Sequence, residues 1–410
     1  MEASNPVRFH RKSPQELGFD SRRLERISVV IDRALEAGQT TGVLTAVLRD
    51  GSLAWFDTRG CRDLASAKPI EADTLFRIYS MTKPVTTAAV MMLVEETAIR
   101  LGDPVSRFFP EYREMEVYVG GDEPPFLSEP AAREITVRDL LTHTAGLAYG
   151  IGEEHPVEKL LESDVWGPVA RDGELSLREL AKLVGACPLV HQPGTHFRYS
   201  IAIDLLGALV EEVSGIPFGR FLEERLFDPL GMRNTWFTVP EPDRHRLAGV
   251  YTPGETGFEP SPDPPILSFA QTDAHPNGGG GLVSTADDYL AFAQMLLDGG
   301  RATRPDGRPG DYVLAPRTVS MMMSDHLPPG VAGWSTAGVG FGYGGAVLTD
   351  ARYFVGYGSP GRYGWGGAAS TGFWVDPAER IAGLVLQQVV PYTPELPDDV
   401  LTSVYQAVVA

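Results

Sequence analysis

The chain has 410 residues, 43% of them hydrophobic, which is enough to bury a large core without disulfides or metals as staples. Lys and Arg number 35 against 54 Asp and Glu, and a formal charge of −19 repels phosphate backbones and anionic lipid surfaces, so neither nucleic acid nor membrane is expected as a partner. The two cysteines, Cys61 and Cys187, lie far apart and outside any metal-ligand spacing; both read as small apolar residues, with a single disulfide between them left open.

The opening residues, MEASNPVRFHRKSPQ, place charges and a proline where a secretory signal needs an apolar run of about 7–15 residues. No later stretch reaches the ~18 uninterrupted apolar residues of a membrane span, so a soluble, cytoplasmic chain is expected. Residues 21–37 carry apolar side chains at helical spacing, with Ser21 as cap and Gly38 as stop. Two strand-like runs, 42–48 and 53–58, flank Arg49-Asp50-Gly51-Ser52, and an Asp-Gly so placed predicts an antiparallel hairpin. From Ser80 to about Ile99 the chain is apolar on nearly all sides of a helix, which predicts burial.

Between about 104 and 265 the pattern changes to helices separated by Pro and Gly, at 136–142, 177–184, 202–213 and 218–226, and strand signals become sparse. Past Asn277 and the glycines 278–281, a helix is predicted over 286–297, followed by strand-compatible segments at 338–349 and 352–358. Strands at 372–375 and 381–388 and a terminal helix from about 398 to 409 complete the chain. Strand-rich ends around a helical middle predict a mixed α/β (α+β) fold, an antiparallel sheet flanked by helices plus an all-helical domain. The expected division is 1–103 with 266–410 as a discontinuous α/β domain and 104–265 as the helical one, with the site at their interface.

The chemistry begins at Ser80-Met81-Thr82-Lys83. Spacing of three puts Ser80 and Lys83 on one helical face within hydrogen-bonding reach. A serine hydroxyl is a poor nucleophile at neutral pH, and a lysine in a partly desolvated pocket accepts or relays its proton more readily. The tetrapeptide alone reads better as a helix cap and a surface lysine. Its surroundings argue otherwise, because Lys83 stands inside the apolar run Ile78-Tyr79-Ser80-Met81-Thr82-Lys83-Pro84-Val85, and a buried cation normally has a task.

Four blocks in order resemble the serine β-lactamase and penicillin-binding-protein superfamily, in particular its family VIII carboxylesterases, which are close to class C β-lactamases. They are residues 74–84 around Ser80; 135–147, ITVRDLLTHTAGL; 227–232 with Thr235; and 278–288, GGGGLVSTADD. The resemblance implies a β-lactamase-like fold and a catalytic tyrosine, which falls on Tyr199 in Phe197-Arg198-Tyr199-Ser200-Ile201. That family's Y-x-N asparagine is here Ile201. Its K-T-G strand corresponds to Trp365-Gly366-Gly367-Ala368, so a carboxylate-anchoring lysine is replaced by a flat apolar wall suited to an uncharged ester. By the same resemblance the backbone N–H groups of Ser80 and Ala368 form the oxyanion hole, and Trp365, Gly366 and Gly367 line the substrate.

His143 reads as structural. The histidines never form an H-x-x-x-H pair, no G-x-S-x-G is present, and glycines 278–281 lack the Lys-Ser/Thr of a phosphate loop, so no metal or cofactor is expected and the glycines read as a tight turn. The expectation is a serine carboxylesterase acting on small-molecule esters through an acyl-serine intermediate. A β-lactamase, a D-amino-acid peptidase, an acyltransferase and a non-catalytic acyl sensor use the same residues and stay open, as does the oligomeric state.

Overall fold

The computed structural model describes residues 7–150, 154–168, 175–262, 276–304, 307–334, 337–354 and 356–410. Its main sheet has eight strands: β1 (Gly42–Arg49), β2 (Ser52–Asp63), β3 (Lys68–Pro69), β4 (Val339–Phe341), β5 (Ala346–Leu348), β6 (Tyr363–Gly367), β7 (Thr371–Asp376) and β8 (Ile381–Leu386). They are ordered β4-β5-β6-β7-β8-β1-β2-β3, and every pairing is antiparallel. The sheet joins the two ends of the chain, with Leu44 opposite Leu386. The helices that position the site and cover the sheet are α1 (Arg26–Glu36), α2 (Thr82–Glu95), α3 (Val137–Leu141), α4 (Leu177–Gly185), α5 (Ala202–Ser214), α6 (Ala286–Leu297) and α7 (Glu395–Tyr405).

The predicted hairpin is β1–β2. Asp50 and Gly51 turn it with φ of 49° and 70°, the left-handed pair that a two-residue loop between right-twisted strands requires. Every residue of β1 is buried because both faces of the sheet are covered. Val43 and Val47 pack with Ile27 and Ile31 of α1 and Val400 and Val404 of α7, while Leu44, Ala46 and Leu48 turn to the larger core on the other face. Truncating a side chain as enclosed as Ile31 or Leu44 to Ala costs about 2–5 kcal/mol.

The predicted helix over 21–37 is split into a short turn, Ser21–Leu24, and α1, and the cap is Asp20 rather than Ser21: the Arg23 N–H donates to its carboxylate at 3.0 Å. Gly38, at φ 64°, follows as expected. The helix expected from Ser80 starts at Thr82 after one tight turn, Tyr79–Met81, and the one over 218–226 divides into Phe218–Leu222 and a wider turn, Glu223–Phe227.

The segment 104–265 is not all-helical. It holds two hairpins, Glu116–Gly120 with Leu127–Pro130 and Tyr251–Gly254 with Gly257–Pro260, too short and too exposed to show apolar alternation. The expected boundary at 265/266 lies outside the described residues. No strand forms among the described residues of 352–358; the pairing resumes at Tyr363. Cys61 and Cys187 are both free, which closes the disulfide question, and burial pushes the Cys187 thiol up to about 12. No described helix is long and apolar enough to cross a membrane.

Candidate active site

A single tight turn delivers Ser80. Phe76–Arg77 pairs with Val283–Ser284, and the Ile78 N–H donates to Leu282 O at 3.0 Å, so the chain enters the turn fixed against the glycine-rich loop. Lys83 sits on the first turn of α2, a helix whose residues from Thr82 to Leu93 are all buried, and Lys83 itself is 0% exposed. Its Nζ donates to Ser80 Oγ at 3.2 Å, Tyr149 OH at 3.1 Å and the Gly279 carbonyl at 2.6 Å. Three acceptors match the three N–H donors of an ammonium.

Tyr199 reaches the same serine from the opposite side. Its hydroxyl lies 2.7 Å from Ser80 Oγ, and Lys83 Nζ stands 4.5 Å from its ring centroid. Trp365 Nε1 donates to the Tyr199 oxygen at 3.4 Å. A phenol whose oxygen meets a serine hydroxyl and an indole N–H, with a lysine over its ring, is placed to hold negative charge while it takes up the serine's proton. Tyr199 stands three residues before α5, and the Ile201 N–H donates to Ala148 O at 3.1 Å, which draws the segment carrying Tyr149 alongside.

Trp365 and Gly367 lie on β6 beside the Ser80 turn. A Cβ on Gly367 would strike the Ile78 carbonyl, so glycine there allows the strand to approach closely. Gly366 faces the other side of the strand, where a Cβ would come within 3.3 Å of Tyr392. Ala368 is exposed at the turn into β7, and its N–H makes no hydrogen bond among the described residues. Trp365 belongs to an aromatic wall: its ring centroid is 5.3 Å from Phe341, 5.5 Å from Tyr199 and 5.7 Å from Trp334. Trp334 closes the wall 5.2 Å from Tyr199 and is 49% exposed.

His143 is wholly buried. Its Nδ1 lies 3.2 Å from both the Ser200 N–H and the Ser200 hydroxyl, and burial, reinforced by Lys83's charge, holds the imidazole well below its ordinary pKa and neutral. Tyr149 is a phenol that the sequence reading did not single out; burial, then the Asp204 carboxylate, holds its pKa well above the ordinary value, so it stays a neutral hydroxyl. Trp334 and Asp204 also escaped that reading. Asp204 had a legible signal, an acid within the apolar run Ala202-Ile203-Asp204-Leu205-Leu206, the same signal that marked Lys83. Among the described residues, no group of three His, Cys, Asp or Glu side chains is placed to hold a metal ion.

Known proteins resemble the chain over most of its length. The β-lactamase family model matches residues 28–402. Protein Rv1367c of Mycobacterium tuberculosis is 36% identical over 392 residues, 91% of each chain. Esterase EstB of Burkholderia gladioli is 32% identical over 396 residues, covering 91% of this chain and 92% of its own. The structure of EstCE1, described as a hydrolase with promiscuous acyltransferase activity, superposes with a TM-score of 0.76 at 29% identity over 94% of this chain and 99% of that one. The chain therefore belongs to the β-lactamase family, as a serine hydrolase of its esterase branch.

Proposed function

We propose that the protein is a serine carboxylesterase that hydrolyses short-to-medium acyl esters through an acyl-Ser80 intermediate. The observation that carries this reading is the shared contact of Tyr199 OH, at 2.7 Å, and Lys83 Nζ, at 3.2 Å, with Ser80 Oγ. Tyr199 in its phenolate form takes the Ser80 proton as Oγ bonds to the ester carbon, and the carbonyl electron pair moves onto its oxygen. The backbone N–H groups of Ser80 and Ala368 hold that oxyanion. Its collapse breaks the bond to the alcohol oxygen, which leaves with the proton from Tyr199. Water then repeats the sequence: Tyr199 removes its proton, the hydroxide oxygen attacks the acyl carbon, and the proton returns to Ser80 Oγ as the acid departs.

The aromatic wall of Trp365, Trp334 and Phe341 supports an uncharged, apolar substrate over a β-lactam or peptide carboxylate, since it offers no cation to an anion. Gly367 keeps β6 close to the ester, and Gly366 contributes through the strand's backbone. The junction of the discontinuous α/β unit, 1–103 with 266–410, and the segment 104–265 frames the site. An alcohol in place of water turns the same cycle into acyl transfer, a reading that EstCE1's description favours.

The test is steady-state hydrolysis of short p-nitrophenyl esters and of a chromogenic cephalosporin by the native chain and by Ser80→Ala and Tyr199→Phe. Ester turnover that both substitutions cut to below about a thousandth, with slow cephalosporin turnover, is the expected result. Substantial turnover by folded Ser80→Ala removes Ser80 from the mechanism, and efficient cephalosporin hydrolysis makes the protein a β-lactamase.

A further inference from the structure

Asp204 lies on the first turn of α5, is 0% exposed, and is surrounded by Ile203, Leu205 and Leu206, which are equally enclosed. One carboxylate oxygen, Oδ1, accepts the Gly279 N–H at 3.1 Å, and Oδ2 has no hydrogen-bond partner among the described residues. The carbonyl of that same Gly279 accepts Lys83 Nζ at 2.6 Å. One residue earlier, the Gly278 carbonyl accepts the Thr86 hydroxyl at 2.6 Å. The glycine loop is thus gripped between α2 and α5.

That grip also explains the glycines. None of the four, 278–281, has a positive φ, so backbone freedom is not what they supply. A Cβ on Gly279 would collide with Asp204 Oδ2, and one on Gly278 would come within 3.0 Å of Ile203 O. The absent side chains leave the space in which a carboxylate sits behind the residue that holds Lys83.

We propose that Asp204 is a positioning residue: its carboxylate, seated behind Gly279, supplies the counter-charge that keeps the Lys83 ammonium aimed at Ser80 Oγ. The inference rests on the assignment of Ser80, Lys83 and Tyr199 given above. A buried ammonium is costly unless an opposite charge and enough acceptors answer it. The acceptors are Ser80, Tyr149 and Gly279, and the charge is Asp204. Burial pushes its carboxyl up to about 6 against the pull of Lys83, so at neutral pH it is ionised. The titratable groups facing it are Lys83 from α2 and Tyr149 from the segment after α3, and Tyr199, ahead of α5, in turn faces Tyr149. His143, neutral, lies beyond Tyr199 with its ring centroid 4.8 Å from the phenol ring.

Removing a negative charge makes every neighbouring group give up its proton more easily. Asp204→Asn keeps the shape and one acceptor, so it isolates the charge. In the native chain and in Asp204→Asn, Asp204→Glu and Ser80→Ala, kcat and KM for a short-chain ester are measured across pH by product chromatography. For Asp204→Asn, the pH profile of kcat is expected to move toward acid by about one unit, with kcat near neutrality down about tenfold and KM within about twofold. Asp204→Glu, which retains the charge, keeps the native profile. Should Asn at 204 fail to give folded protein, Asp204→Ser, which leaves room for a water, replaces it in the comparison. A folded neutral variant with an unmoved pH profile overturns the inference, whatever its rate. If Ser80→Ala is inactive at the same time, only the role of Asp204 has failed; if Ser80→Ala turns over, the underlying assignment has failed instead.

Discussion

Glu158 and Arg198 form an enclosed ion pair that ties the two tyrosines of the site together. Arg198 Nη2 meets Glu158 Oε1 at 2.6 Å, and the other oxygen of Glu158 accepts the N–H groups of Tyr149, at 2.9 Å, and Gly150. Arg198 is the residue before Tyr199. One carboxylate therefore fixes the backbone of Tyr149 and, through a guanidinium, that of Tyr199, so both hydroxyls arrive at Ser80 and Lys83 from a common anchor.

From this anchor, Glu158→Gln is expected to cost stability and rate together. The side chain of Glu158 is 2% exposed and that of Arg198 18%, so the guanidinium loses its charge partner where water is scarce. Removing one member of such a pair costs about 3–5 kcal/mol, in contrast to the ~0–1 kcal/mol of surface pairs such as Arg220 with Glu224. Urea unfolding should show a lower midpoint at an unchanged slope, and kcat should fall more than KM rises. A variant with native stability would mean that the pair holds nothing in place.

Trp365→Phe separates the two functions of that residue. Phenylalanine keeps a flat wall against Phe341 and Trp334 but removes the N–H that donates to Tyr199 at 3.4 Å. A single hydrogen bond of this length contributes about 1 kcal/mol, so kcat should fall roughly fivefold while KM for apolar esters stays close to native. An unchanged kcat would assign Trp365 to packing alone.

Ser80 and Lys83 were legible because helical spacing puts residues three apart on one face, and because a lysine inside an apolar run contradicts its solvation preference. The hairpin β1–β2 was legible for a similarly local reason, Asp-Gly between two apolar runs. Tyr149 was not. It stands in an irregular stretch without period, and its contact with Lys83 depends on the Ile201–Ala148 hydrogen bond and on Glu158, neither of which a local pattern encodes. The short hairpins within 104–265 escaped because strands such as Leu127–Pro130 are exposed throughout and carry no alternation to read. Glycines 278–281 were read as a turn, which they form, while their deeper requirement, space for Asp204, needed the packed helices.

Trp334→Ala should alter acyl-chain preference. The ring is 49% exposed and leans edge-on against both Tyr199 and Trp365, at interplanar angles of 89° and 88°. Removing it opens one side of the apolar wall, and edge-to-face contacts plus lost burial amount to about 1–2 kcal/mol for a chain long enough to reach it. The expected outcome is a roughly tenfold drop in kcat/KM for medium-chain p-nitrophenyl esters and a smaller drop for the acetate. Equal losses at all chain lengths would mean that Trp334 acts by supporting Tyr199 rather than by touching the acyl group.

Asp204 also makes a prediction about stability. Its folded carboxyl titrates at about 6, above the ordinary aspartate value of 3.8, because burial disfavours the charge. Below pH 4 it is protonated folded or unfolded and costs nothing. Between about pH 4 and 6 the unfolded chain releases its proton first, so the unfolded state gains and folding stability falls as pH rises, by up to about 3 kcal/mol from this group. Above pH 6 both states are ionised and the loss is complete. Asp204→Asn has no proton to lose there, so its stability relative to the native chain should improve by about 2–3 kcal/mol between pH 4 and pH 7, read from denaturant unfolding of both at each pH. A stability difference that is flat with pH would show that the carboxylate is solvated or paired in a way that removes the cost. The predicted combination, a variant that is slower yet gains stability relative to the native chain as pH rises from 4 to 7, is what a charge kept in the core for the sake of Lys83 requires.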